Sequence, residues 1–285
     1  ILSGDHVYKM NYQKLLDFHD QVNALASVGV VEVPIEQASA FGVIQVDEDW
    51  RIVGFQEKPQ DPRPVPGKPG VALVNMGVYA FETEALIDVL AEDASRPTRH
   101  DFGHDILPSM VTSGRLYAFP FVDENRKSAM YWRDIGTLDS YYEASMDLVS
   151  VDPTFNLYAS DWPLRTMPRQ LPPAKTVFAQ DEPGGRTGTI LNSAVCGGVI
   201  VSGGRVERSI LGPEVRINSF ARVSDCVLMD GVQVGRHARI TRTIIDKGVE
   251  IPPGFVVGED PGEDRARFTV SEKGVAVIPK GWRIG

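Results

Sequence analysis

At 285 residues, with 42% hydrophobic and 24% charged side chains, the sequence reads as a globular chain long enough for two cores. A formal charge of −9 argues against nucleic acid or an anionic membrane surface as the main partner, and an anionic substrate would need a local basic cluster or a bound metal. No run approaches the ~18 apolar residues of a membrane span, and no signal peptide is expected. Cys196 and Cys226 show neither CxxC spacing nor a paired framework. They are expected to be small buried hydrophobes in a reducing, cytoplasmic setting.

In chain order, Ile1–Ser3 reads as the end of a buried strand, so a segment preceding Ile1 is expected. Gly4-Asp5-His6 makes the turn that leaves it. Met10–Asn23 has helical spacing and Ala26–Val33 is a strand run. Phe41–Val46 and Arg51–Phe55 bracket Asp47-Glu48-Asp49 as a hairpin, and the Pro-rich stretch from Pro59 to Pro69 is a loop. Val71–Phe81 is a strand broken at Asn75-Met76-Gly77. Thr83 is placed to cap a helix running to Glu92, and Asp105–Thr112 to form another. Leu116–Val122 is strand-like. Tyr131-Trp132-Arg133 then leads into Asp134 and the permissive Gly136, and Leu138–Val149 has the periodicity of an amphipathic helix. The pattern is α/β over residues 1–150, with a Pro-rich linker over 151–185.

Residues 186–285 repeat. Ile200, Ile217, Val234 and Ile251 are 17 apart, as are Val206, Val223, Ile240 and Val257, and Ala194, Leu211, Leu228 and Ile245. Three apolar lanes five or six residues apart predict a three-sided parallel β-helix. Gly197-Gly198 and Gly203-Gly204 are assigned to its corners, because neither opens a helix after a strand as a phosphate loop does.

Asp5 and Asp134 form the strongest chemical pair: two carboxylates at the ends of different strands can hold one Mg²⁺. On spacing alone, an equal case exists for both satisfying turn amides. Lys58 could grip a phosphate as a point charge, although a solvated surface Lys is the plainer reading. His100 and His104 lie four apart, but no third ligand accompanies them, so capping and structural contacts are expected. His237, the one candidate base on the solenoid, reads as a surface residue between Arg236 and Arg239.

Ser3-Gly4-Asp5-His6-Val7-Tyr8-Lys9-Met10, Pro34-Ile35-Glu36-Gln37-Ala38-Ser39-Ala40-Phe41-Gly42-Val43 and Phe55-Gln56-Glu57-Lys58-Pro59 resemble the ADP-glucose pyrophosphorylase family of glucose-1-phosphate adenylyltransferases. So do Tyr131–Thr137, Asp161-Trp162-Pro163-Leu164-Arg165-Thr166 and Leu171-Pro172-Pro173-Ala174-Lys175. The resemblance implies a Rossmann-like nucleotidyltransferase domain followed by a left-handed β-helix. It also implies synthesis of ADP-glucose and pyrophosphate from ATP and glucose 1-phosphate, for glycogen. Carried over by motif, Asp5 and Asp134 would hold Mg²⁺ and Lys58 would bind the sugar phosphate. Glu57, Tyr79, Trp132, Asn75 and Gly42 would line the sugar site. Arg216 and Arg267 would belong to a regulatory site for sugar phosphates and AMP in a homotetramer.

The sequence departs from the family pattern in three places. The family's Gly-rich ATP loop has no counterpart in these residues, so they are not expected to turn over alone. Asn75 replaces a Ser, and the arginine cluster around Arg267 is only partly matched. Two other classes compete: a non-catalytic regulatory subunit of the same fold, and a β-helix acyltransferase. The retained Asp5, Asp134 and Lys58 weigh against the first. The unbroken repeats, with no space for an acyl-carrier loop, weigh against the second.

Overall fold

The computed structural model describes residues 1–125, 130–167, 169–180 and 182–283. It divides into two compact units, Ile1–Gly4 with Lys9–Glu124, and Asp5–Tyr8 with Asn125–Gly285. Residues 130–150 group with the solenoid in their contacts: Tyr142 is buried among Val227, Ile244 and Val275, and its hydroxyl donates to Asp225 O at 2.8 Å. Among the described residues no helix is long and apolar enough to cross a membrane.

Elements of the early chain are β1 (His6–Tyr8), α1 (Tyr12–Gln21), β2 (Ala26–Pro34), β3 (Gly42–Val46), β4 (Ile52–Glu57), β5 (Val71–Phe81), α2 (Thr83–Ala94), α3 (Leu107–Met110), β6 (Leu116–Pro120), β7 (Trp132–Asp134) and α4 (Leu138–Asp147). The first unit is built on a sheet of order β4-β3-β5-β2-β6, in which only β2 and β6 run parallel. The inner strand β2, between β5 and β6, is buried from Ala26 to Val31, in keeping with its mostly apolar run. Ile106, Leu107 and Met110 pack on Val28, Val30, Leu116 and Ala118 to form the core of this unit.

Several local expectations change. Ile1 and Leu2 are about half exposed, at 49% and 51%, and Leu2 forms a single antiparallel bridge with Val78, so they are not a buried strand end. Glu82, not Thr83, occupies the N-cap of α2, and it makes no side-chain cap bond. The helix expected over Asp105–Thr112 is broken into a wide turn at Phe102–Ile106, the short α3 and a tight turn at Val111–Ser113. Asn75-Met76-Gly77 does not interrupt β5. It is a bulge, where the register to β2 shifts between Val28 and Val30 and Gly77 takes φ +67°.

In the second unit the three apolar lanes become three sheets of parallel strands, one of them edged by the antiparallel strand Thr269–Val270. Val206, Val223, Ile240 and Val257 stand in register, as do Leu211, Leu228 and Ile245 and likewise Ile217, Val234 and Ile251. The first coil differs from the even repeat. Val201, not Ile200, faces Ile217, and Val195, not Ala194, faces Leu211. The corner between Val201 and Val206 is one residue shorter than that between Ile217 and Val223, which slips the frame. Gly204 makes the short corner possible: a Cβ there would stand 2.8 Å from Ile217 Cγ2 and 2.9 Å from Asn218 O.

The stretch read as linker also contributes to the solenoid. Lys175–Val177 pairs with Ile200–Ser202 as an outermost strand, while Pro168 of that stretch lies outside the described residues. Cys226 is buried as expected. Cys196 is exposed, because it follows the strand Ala194–Val195 on the outside of the coil.

Candidate active site

In the second unit, β1 and β7 pair antiparallel with His6 opposite Asp134 and Tyr8 opposite Trp132. Asp5 sits in the turn before β1, and the Ile135 amide donates to Asp5 O at 2.9 Å, which binds the start of one strand to the end of the other. The two carboxylates meet because an antiparallel pair brings a beginning beside an end. Asp134 Oδ1 accepts the Gly136 amide at 2.7 Å. His6 Nε2 lies 3.7 Å from Asp5 Oδ1 and 4.0 Å from Asp134 Oδ2.

Among the described residues Asp5, His6 and Asp134 are the one group of three whose ligand atoms lie within 4.8 Å of one another. Both carboxylates reach solvent (side chains 54% and 40% exposed), whereas His6 is largely covered at 11% and stands edge-on to Trp132 at 5.2 Å. A Cβ on Gly136 would lie 3.0 Å from Asp134 Oδ1 and 3.1 Å from Asp5 Oδ2, so a side chain there would crowd both acids. Two solvent-reaching carboxylates fit a hard divalent cation such as Mg²⁺ or Mn²⁺, both of which favour oxygen ligands. His6 and Gly136 were missed as site residues. The signal for His6 was its place beside Asp5; its register with Asp134 needed the pairing.

In the first unit, Glu57 ends β4 with its carboxylate between two glycines. A Cβ on Gly42 or on Gly103 would come within 2.8 Å or 2.7 Å of Glu57 Oε2. Burial pushes the Glu57 carboxyl up; Lys58 opposes this, Asp101 adds to it and His104 opposes it. Asn75 Nδ2 donates to the Tyr79 hydroxyl at 2.8 Å while its Oδ1 accepts the Gly77 amide at 2.9 Å, so the bulge holds both side chains. Tyr79 stacks on Phe102 at 5.6 Å, and burial raises its phenol above the usual range. Lys58 is exposed and held at φ +44°, with its amide donating to Phe41 O at 3.1 Å. Backbone strain of this kind collects at ligand-binding positions. Gly103 was missed here, since the broken helix hid its approach to Glu57.

The remaining candidates lie elsewhere. His100 Nδ1 is 2.7 Å from Asp93 Oδ2, His104 Nε2 is 3.1 Å from Arg99, and Asp101 accepts the His104 amide, so this pair makes the expected caps and structural contacts. His237 is exposed and stacked on Phe220 at 4.9 Å. Arg216 is exposed, with Nε donating to Asn218 Oδ1 at 3.2 Å. Arg267 ends α5 (Pro261–Arg267), donates to Val256 O and Asp264 Oδ1, and lies over the rings of Phe255 and Phe268.

Residues 1–151 match the family model described as nucleotidyl transferase, and residues 172–278 match that of the GlmU-like C-terminal hexapeptide. The chain is 52% identical over 283 residues to the glucose-1-phosphate adenylyltransferase of Rhodopirellula baltica, covering 99% of this chain and 64% of that protein. It is 47% identical over 286 residues to that of Koribacter versatilis, covering 100% of this chain and 68% of the relative. The chain belongs to the glucose-1-phosphate adenylyltransferase family. With the Paramagnetospirillum magneticum adenylyltransferase, 48% identical over 283 residues, it shares 98% of its own length and 65% of the relative's. The chain thus spans about two thirds of the length of the adenylyltransferases it matches. The nucleotidyltransferase match covers the α/β sheet and the β1–β7 pair; the hexapeptide match covers the coil from its first strand at Lys175.

Proposed function

We propose that this chain carries the metal-binding and sugar-phosphate residues of an enzyme that transfers the adenylyl group of ATP to α-D-glucose 1-phosphate, giving ADP-glucose and pyrophosphate for glycogen synthesis. The observation that supports it most is the convergence of Asp5, His6 and Asp134 around Gly136. A phosphate oxygen of the sugar phosphate attacks the α-phosphorus of ATP. The new P–O bond forms as the bond to the bridging oxygen breaks, and pyrophosphate leaves with that electron pair. Mg²⁺ held by Asp5 and Asp134 would neutralise charge on the reacting phosphoryl group.

The protein's own groups bind and orient. Lys58, set by its strained backbone and by Pro59, pairs with the phosphate of glucose 1-phosphate. Glu57 accepts from sugar hydroxyls, Asn75 and Tyr79 supply further polar contacts, and Gly42 leaves the space that the Glu57 carboxylate occupies. Trp132, braced by His6, offers an apolar face to the sugar ring. The same reading makes the enzyme a cytoplasmic homotetramer answering to sugar phosphate and AMP, with Arg216 and Arg267 in the effector site.

The test is pyrophosphate release by the full-length gene product with glucose 1-phosphate, comparing ATP with UTP, GTP and dTTP. A strong preference for ATP, abolished by Asp134→Asn, is expected. A folded protein that turns over no nucleotide would instead be the regulatory subunit of the same fold.

A further inference from the structure

The Asp134–Asp139 segment is held at each step. Asp134 Oδ1 accepts the Gly136 amide, Ile135 is tied to Asp5, and Thr137 caps α4 in a reciprocal capping box with Ser140. The next acid, Asp139, stands in the first turn of α4, where the helix dipole already favours a carboxylate. Yet both its oxygens are used by residues far along the chain: Oδ1 accepts from the Ser271 hydroxyl, and Oδ2 from the Lys273 amide at 3.2 Å. One turn on, Glu143 pairs with the Lys273 ammonium.

Ser271–Val275 is the tip of a hairpin whose arms are Thr269–Val270 and Ala276–Ile278. The tip is firmly built. Ser271 Oγ accepts the Val275 amide at 3.0 Å, and Lys273 O accepts two bonds from Arg242, whose guanidinium lies over the Tyr142 ring of α4. The arm begins directly after Phe268, on which Arg267 is stacked. One covalent path therefore runs from α5 to the tip; from the tip two hydrogen bonds reach Asp139, and the backbone of the capped turn continues to Asp134.

We infer that the Ser271–Lys273 tip positions the metal-binding carboxylate: by fixing Asp139, it sets the start of α4 and with it the Asp134–Gly136 turn. This rests on the reading of Asp5 and Asp134 as metal ligands. Asp139 and Ser271 are positioning residues, since neither touches the reacting groups.

The test reads Mn²⁺ affinity by the electron paramagnetic resonance signal of free Mn²⁺, so it does not depend on turnover. Removing a partner that orients metal ligands costs about ten-fold or more in affinity, and that loss is expected for Asp139→Ala. Ser271→Ala should weaken binding in the same direction by less, and the double variant should bind no worse than Asp139→Ala alone, because both break one path. Asp139→Asn, which keeps an acceptor without the charge, should retain most of the affinity, and Ser271→Thr should restore it. If Asp139→Ala fails to fold, Ser271→Ala, which removes one hydroxyl, carries the test. Wild-type affinity in folded Asp139→Ala and Ser271→Ala would overturn the inference, as would equal losses in Asp139→Asn and Asp139→Ala. Asp134→Asn separates the layers. If it leaves Mn²⁺ binding intact, the metal reading falls and takes this one with it; if it abolishes binding while Asp139→Ala does not change it, only the positioning role falls.

Discussion

The solenoid and the mixed sheet bury the same kinds of aliphatic side chain by different routes. In the solenoid each strand's partner lies one coil away, so Val206, Val223, Ile240 and Val257 stack as they recur in the chain. In the sheet, Ala26 faces Phe81 and Pro34 faces Val71, and no constant offset relates them. The even coils repeat one packing arrangement at a constant offset, whereas the sheet breaks its register at the Gly77 bulge, where Asn75 donates to the Tyr79 hydroxyl.

Core truncation should expose this contrast most strongly. Ile240→Ala and Leu116→Ala each remove a fully buried side chain and should cost about 2–5 kcal/mol. Hydrogen exchange should then differ: Ile240→Ala loosens the coils next to it, because a solenoid is stabilised between nearest neighbours, whereas Leu116→Ala loosens its whole sheet. Uniform loosening of the solenoid by Ile240→Ala would erase the distinction. A smaller effect comes at the slipped corner. Gly204→Ala must displace Ile217 or the Asn218 carbonyl and should cost about 1–3 kcal/mol in denaturant unfolding, while Gly254→Ala, with open space, should show only the strain of its φ of +73°.

Next in size is Lys58→Ala, which should leave the fold intact and raise KM for glucose 1-phosphate by about ten-fold while KM for ATP changes little. Equal effects on both substrates would make Lys58 a structural residue. The smallest effect is in pH dependence, where one carboxyl from each unit, Glu57 and Glu259, should slope in opposite directions. Glu57, pushed up chiefly by burial, contributes stability below the ordinary glutamate range that is lost as pH rises through its raised pKa. Glu259, held down by its hydrogen bonds to Arg239, contributes stability above that range that is lost as pH falls through its lowered pKa, and its exposure keeps this slight. Carboxyl-selective NMR titration should place Glu57 above Glu259; the reverse order would remove burial as the governing cause.

Much of the site was legible as residue types. On spacing alone Asp5, Asp134 and Lys58 were matched or outweighed by plainer readings, a turn for each acid and a solvated surface for the lysine, and it is the surrounding motifs, with their family likeness, that single them out. His6, Gly103 and Gly136 were not legible in that way. Each matters through what lies opposite it: Asp134 for His6, Glu57 for Gly103, and both acids for Gly136.

The sequence by itself determined the two kinds of architecture, the lanes of the coil from Val206 onward, and the acids that meet at β1 and β7. Periodicity and turn chemistry are local, so they survive in one dimension. Only the tertiary structure decided the slip at Gly204, the allegiance of α4 to the solenoid, the placing of Glu57 between Gly42 and Gly103, and the tie from Ser271 to Asp139. Each depends on atoms brought within contact distance across tens of residues, where steric fit and hydrogen-bond geometry select a partner that spacing along the chain cannot specify.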